Sequence, residues 1–83
     1  MPMEIVVPKL DKRFNSAVLV KWYKKPGEYV GIGELLVEVE TSKASIEIAA
    51  EVPGVFLKAL KNEGDIVEGS AIIGYIGTEG EAV

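Results

Sequence analysis

Val37-Glu38-Val39-Glu40-Thr41-Ser42-Lys43-Ala44-Ser45-Ile46-Glu47-Ile48-Ala49 is the stretch around which this chain is organised. Apolar and polar residues alternate on both sides of Thr41-Ser42-Lys43-Ala44, the period of two that places successive side chains on opposite faces of a strand. The alternation predicts two strands, with Val37, Val39, Ile46 and Ile48 turned inward. Glu38, Glu40, Ser45 and Glu47 then face water. The short polar residues between the runs suit a type I turn, which needs no glycine at positive φ. Lys43 is therefore expected at the tip of a β-hairpin, its amine projecting among carboxylates.

Outward from this hairpin the chain is punctuated by turns. Met3 to Val7 is a short apolar run stopped by Pro8, as at a sheet edge. Residues Lys9–Ser16 follow neither period and read as a surface loop, with Leu10 and Phe14 tucked back onto the body. Ala17 to Tyr23 is rich in strand formers. Trp22 and Tyr23 are adjacent and so face opposite sides, one toward the core and one half exposed. Pro26-Gly27-Glu28 and Gly31-Ile32-Gly33 are turn signals. The second of these lacks the third glycine and the following helix of a nucleotide-binding loop.

Sliding the sequence by 37 places Ala17–Thr41 on Gly54–Thr78 without a gap. Val18 meets Val55, Lys21 meets Lys58, Gly27 meets Gly64, Val30 meets Val67 and Thr41 meets Thr78. Two copies of a strand, Gly-acid turn, short strand, corner and strand predict an all-β sandwich or flattened barrel with pseudo-two-fold symmetry. Under the same shift Lys43 falls on Gly80, in the small, acidic stretch 77–83. One half thus ends in an exposed lysine hairpin and its twin ends near the terminus. Residues 1–78 are expected to form the domain, with 79–83 a tail or the start of a linker.

Composition narrows the function. With 83 residues the chain is one small domain, and its 48% hydrophobic content suffices for a core. A net charge of −4 argues against nucleic acid and anionic membrane as partners. No apolar run approaches a membrane-spanning length, no secretory leader is evident, and the absence of cysteine suits a reducing compartment. Lacking His and Cys, the chain has no imidazole base, no Ser-His or Cys-His nucleophile and no usual zinc ligand set. These absences point to a non-catalytic module that has chemistry done to it or carried on it.

Three stretches resemble a known family. Pro8-Lys-Leu with Val20-Lys-Trp-Tyr-Lys-Lys-Pro-Gly-Glu-Tyr-Val30, then Glu38-Val-Glu-Thr-Ser-Lys-Ala44, then Pro53-Gly-Val with Glu63-Gly-Asp-Ile-Val67, are similar to the lipoyl domains of 2-oxo acid dehydrogenase complexes. These domains sit within the wider biotinyl/lipoyl superfamily, and the likeness covers almost the whole chain. It implies a flattened barrel of two four-stranded antiparallel sheets, termini at one end and lysine at the other. It also implies that Lys43 carries lipoate, with Glu40, Thr41, Ser42 and Ala44 read as flanking recognition. The loop after the first strand, with Leu10, Phe14 and Asn15, is a second recognition candidate.

The implied partners are a lipoate ligase or octanoyltransferase, a thiamine-dependent decarboxylase, an acyltransferase core and a flavin-containing dihydrolipoamide dehydrogenase. The isolated domain is expected to be monomeric, in a bacterial cytoplasm or a mitochondrial matrix. Two departures stand out. Ser42 replaces the Asp usual before the lysine, which bears on acylation by the decarboxylase, and Asp11, Phe14, Ser16 and Ala17 depart from the usual loop. A biotinyl carrier would use the same scaffold, but such carriers bracket the lysine with methionines and here Ser42 and Ala44 flank it. A glycine-cleavage-type lipoyl carrier and an unmodified barrel-sandwich interaction module also stay open.

Overall fold

Alternating residues around the central turn form a hairpin, and every other described element is likewise a strand. The computed structural model describes residues 2–10 and 15–82. Its strands are β1 (Met3–Val6), β2 (Ser16–Trp22), β3 (Tyr29–Val30), β4 (Leu35–Glu40), β5 (Ser45–Ala49), β6 (Gly54–Ala59), β7 (Ile66–Glu68) and β8 (Ile72–Gly77). They form two four-stranded sheets, in the orders β1-β8-β6-β3 and β5-β4-β2-β7, and every pairing is antiparallel. No helix among the described residues is long and apolar enough to cross a membrane.

The repeat seen in the sequence is reproduced rung by rung. Between β2 and β4, Val18 pairs with Glu40, Leu19 with Val39, Lys21 with Glu38 and Trp22 with Val37. Between β6 and β8, each partner lies 37 residues on: Val55 with Gly77, Phe56 with Ile76, Lys58 with Tyr75 and Ala59 with Gly74. Even the bulges correspond, between Leu19 and Lys21 and between Phe56 and Lys58. β1 occupies in one sheet the edge that β5 occupies in the other, while β3 and β7 are exchanged between halves.

Crossing turns tie the halves together. The amide of Gly27 donates to Phe56 O at 2.7 Å, and that of Gly64 donates to Leu19 O at 2.8 Å. The acid after each glycine closes its own turn: Glu28 Oε1 accepts from Lys25 N and Asp65 Oδ2 from Asn62 N. Gly27 and Gly64 have φ of 97° and 94°, a region where any Cβ brings strain. The Gly-acid pairs are therefore turn chemistry, as expected from the sequence.

Inward residues of both sheets meet in one core containing Leu19, Leu36, Val37, Val39, Phe56, Val67 and Ile73. Trp22 is half-buried and stacks on Phe56 with centroids 4.9 Å apart, its Nε1 donating to Lys61 O at 2.8 Å. Tyr23 is exposed, so the expected division between the two aromatics holds. Leu36 and Val37 are both buried because a bulge between Leu35 and Val37 breaks strict alternation. Glu38, expected in water, is half-buried, and Ile46 is half-buried against the core.

Candidate functional site

Strand pairing between β4 and β5 runs to the last rung, where Glu40 faces Ser45. Beyond it four residues reverse the chain: the amide of Thr41 donates to Ala44 O at 2.8 Å. Thr41 holds the rest of this turn. Its Oγ1 accepts from Lys43 N at 3.2 Å and from Ala44 N at 3.0 Å, and donates to Ala44 O at 3.2 Å. One donor and two acceptor positions are all a hydroxyl has, so this one is fully used. Lys43 sits exposed at the tip, flanked by exposed Ser42 and Ala44, with Thr41 half-buried beneath.

The other candidates divide. Leu10 is half-buried, packs against the core and comes beside the hairpin, where Lys9, Leu10, Lys43, Ala44 and Ile46 line a small groove of about 230 Å³. Asn15 is exposed, and its carbonyl accepts from Gly69 N at 3.1 Å, which anchors the incoming loop at the same end of the molecule. A Cβ on Gly69 would lie 3.0 Å from Leu10 N, so the lack of a side chain lets the loop close there. Phe14 lies outside the described residues.

Acidic residues lead along the outer face of the sheet to the hairpin. Glu38 pairs with Glu47 across β4 and β5, an unfavourable juxtaposition that neighbouring groups relieve. Tyr23 donates its hydroxyl to Glu38 Oε1 at 2.8 Å, and Lys21 lies on the rung opposite Glu38 with its Nζ 5.1 Å from the Tyr23 ring centroid. That hydrogen bond, with smaller effects from desolvation and the charges of Glu38 and Glu47, raises the Tyr23 pKa above 10.0.

Sequence reasoning missed one feature. A second and larger groove, about 560 Å³, flanks the hairpin on the opposite side, with Val18, Val20 and Ile66 against Glu40, Thr41 and Ser42. The signal that could have found it was Asp65-Ile66-Val67-Glu68, where two adjacent apolar residues cannot both face the core of a regular strand. Val67 is buried and Ile66 is 68% exposed.

What this arrangement offers chemically is a long amine stem on a rigid turn, at one end of a body of 38 × 20 × 20 Å. The exposed lysine and its closed turn fit a tethered lipoyl group.

The family model described as "Biotin-requiring enzyme" matches residues 3–76. The chain is 44% identical over 73 residues to the dihydrolipoyllysine-residue succinyltransferase component of the 2-oxoglutarate dehydrogenase complex of Bacillus subtilis, covering 88% of this chain and 18% of that protein. Its counterpart in Pseudomonas aeruginosa is 39% identical over 82 residues, covering 99% and 20%. The chain thus spans about a fifth of the length of the curated relatives it matches. The solution structure of the lipoyl domain of the 2-oxoglutarate dehydrogenase complex from Azotobacter vinelandii superposes with a TM-score of 0.77 at 36% identity, covering 90% of this chain and 95% of that one. With a matching model over most of its length and the same fold in a solved lipoyl domain, the chain belongs to the biotin/lipoyl attachment family, as a lipoyl carrier domain, whose cofactor is lipoate bound covalently through a lysine.

Proposed function

We propose that Lys43 is the lysine that bears lipoate, and that the domain serves a 2-oxoglutarate dehydrogenase complex. The observation that carries this reading is the position of Lys43 at the exposed tip of a turn closed by Thr41. A modifying enzyme has to pick one lysine among nine basic side chains, and a turn with a fixed backbone presents one amine in one geometry. The reading is also supported by the kinship with succinyltransferase components.

When bound, the group supplies a disulfide–dithiol couple whose sulfur can take up an acyl chain. The protein's own part is placement. Thr41 keeps the tip rigid, and the tethered stem holds its load at a high effective concentration near several active sites. Leu10, Asn15, Glu40, Ser42 and Ala44 offer a surface at the same end for partners to read. Those partners are a lipoate ligase or octanoyltransferase, the thiamine-dependent decarboxylase, the acyltransferase core and the flavin dehydrogenase. All catalytic groups belong to them, and this domain is non-catalytic. The carrier unit is residues 1–78, followed by a tail or the start of a linker, 79–83, whose first residues turn back on Thr78. The setting is a bacterial cytoplasm or a mitochondrial matrix.

A biotinyl carrier is less well supported, because no methionine flanks Lys43 and the relatives bear lipoyl names. Intact mass after co-expression with a lipoate ligase or, separately, a biotin ligase tests the reading. A lipoyl-sized gain that disappears in Lys43→Ala is expected. A biotin-sized gain replaces lipoate with biotin, and no gain with either ligase removes the carrier role of Lys43.

A further inference from the structure

The two halves of the molecule differ at one place where their symmetry predicts likeness. On the outer face of the sheet containing the hairpin, Val18 lies between Ile66 on β7 and Glu40 on β4. Its counterpart Val55 lies between Tyr29 on β3 and Gly77 on β8. Val18 and Val20 are 43% and 40% exposed, yet Val55 and Leu57 are half-buried. In the second half the chain turns back beyond Gly77, the amide of Glu81 donating to Thr78 O at 2.9 Å. Leu57 packs so close that a Cβ on Gly77 would come within 2.8 Å of its Cδ1. This turn, Thr78–Glu81, stands 37 residues from Thr41–Ala44. At the lysine end the equivalent face is open, and an apolar groove of about 560 Å³ remains.

Building on the assignment of lipoate to Lys43, we infer that this groove is a berth for the domain's own lipoyl arm, which lies against Ile66, Val18 and Val20 when no partner is engaged. Three observations select this occupant. Ser42 forms part of the groove wall and its Cα is about 3.8 Å from that of Lys43, so the arm starts beside this groove as well as beside the smaller one that Lys43 itself lines. The groove volume lies within the range of about 300–1,000 Å³ typical of sites for small ligands, whereas the groove beside Leu10, at about 230 Å³, falls below it. The chemistry also matches: an aliphatic chain ending in a neutral dithiolane gains by leaving water for valine and isoleucine side chains. Glu40 on the rim gives such a chain no counter-charge, so the contact is apolar and readily broken. That weakness suits an arm that must leave for each partner.

The test uses the domain with and without lipoylation by a lipoate ligase, each sample first weighed to establish its adduct. Methyl-resolved NMR of the Ile and Val side chains is then compared between the two forms. The inference predicts shifted Ile66, Val18 and Val20 methyls, with cross-relaxation between them and the arm's methylenes. Ile66→Ser and Val18→Ser, each at an exposed position, should leave the remaining spectrum of the unmodified domain in place and weaken the contacts to the surviving partner. They should also speed alkylation of the reduced arm by a maleimide, by about fourfold for each methylene no longer withdrawn from water.

Changes confined to residues 41–45, or contacts to Leu10 and Ile46 instead, would overturn the inference and leave the carrier reading intact. Methyl shifts that depend on protein concentration and occur without lipoate would assign the groove to a second copy and overturn it too. Absence of any adduct on Lys43 would overturn both readings together.

Discussion

Replacing Thr41 with valine keeps the shape of the side chain and removes its oxygen, so it isolates what the hydroxyl does in the lysine turn. Three hydrogen bonds go: the two accepted from Lys43 N and Ala44 N, at 3.2 and 3.0 Å, and the one donated to Ala44 O. Ala44 O keeps its bond from Thr41 N at 2.8 Å, so the carbonyl stays paired. A typical intramolecular hydrogen bond contributes about 0.5–1.5 kcal/mol, and in an exposed turn water replaces part of that, which leaves about 0.5 kcal/mol for each of the two amides. The sum, about 1 kcal/mol, corresponds to about 4–8 °C in Tm for a domain of this size.

Because the loss is local, the modifying enzyme has to re-order the turn, and a barrier raised by about 1 kcal/mol lowers kcat/KM for lipoylation about fivefold. Thr41→Ser keeps the oxygen and should restore most of both quantities. Thermal unfolding and timed lipoylation assays on the three proteins measure this. Wild-type lipoylation of Thr41→Val, or failure of Thr41→Ser to rescue, would refute the role given to the hydroxyl.

Other perturbations follow from the core and turns. Phe56 is fully buried beneath Trp22, so Phe56→Ala should cost about 3–5 kcal/mol. Against a total of about 4–12 kcal/mol for 83 residues, that leaves a domain largely unfolded at moderate urea, as denaturant titration will show. Gly27→Ala and Gly64→Ala meet no atom within 4 Å but force alanine to positive φ, so each should cost about 1–2 kcal/mol. Equal losses in chemical denaturation support the pseudo-symmetry, and a large inequality contradicts it. Glu34 accepts from Gly31 N at 2.7 Å and pairs with Lys24 at 2.9 Å, and these contacts, in that order of importance, lower its pKa below 4.5. A carboxyl depressed in the folded state adds stability that is complete above its unfolded pKa and is lost as pH falls through the folded one. Glu34→Gln should therefore flatten the decline in Tm below about pH 4.5, and an unchanged acid limb would contradict that assignment.

Much of this structure was legible in the chain because its information was local or repeated. Alternation around Thr41–Ala44 identified the hairpin, and the shift of 37 residues anticipated the pseudo-two-fold symmetry that the matching rungs and bulges then displayed. The sequence could not indicate which strands share a sheet. β3 and β7 cross to the other half's sheet, and such long-range pairings leave no local pattern. Strict alternation also missed the bulge that buries Leu36 and Val37 together and misplaced Glu38 in full solvent.

At the candidate site, the place of Lys43 at the hairpin tip was legible from its turn. The role of Thr41 was half seen: as a recognition residue it was singled out, but its three bonds depend on a geometry that composition does not specify. The groove at Val18, Val20 and Ile66 was not anticipated, because exposed apolar residues on one sheet face come together only once β7 lies beside β2.

The most direct test of the central claim loads the arm and asks where the load sits. Lipoylated domain is incubated with a thiamine-dependent 2-oxoglutarate decarboxylase, thiamine diphosphate and 2-oxoglutarate, then digested and sequenced by tandem mass spectrometry. The account predicts lipoyl and succinyl mass on one peptide, both assigned to Lys43 and both absent from Lys43→Ala. Adducts on any other lysine, or a lipoylated Lys43 that never gains an acyl group, would contradict it.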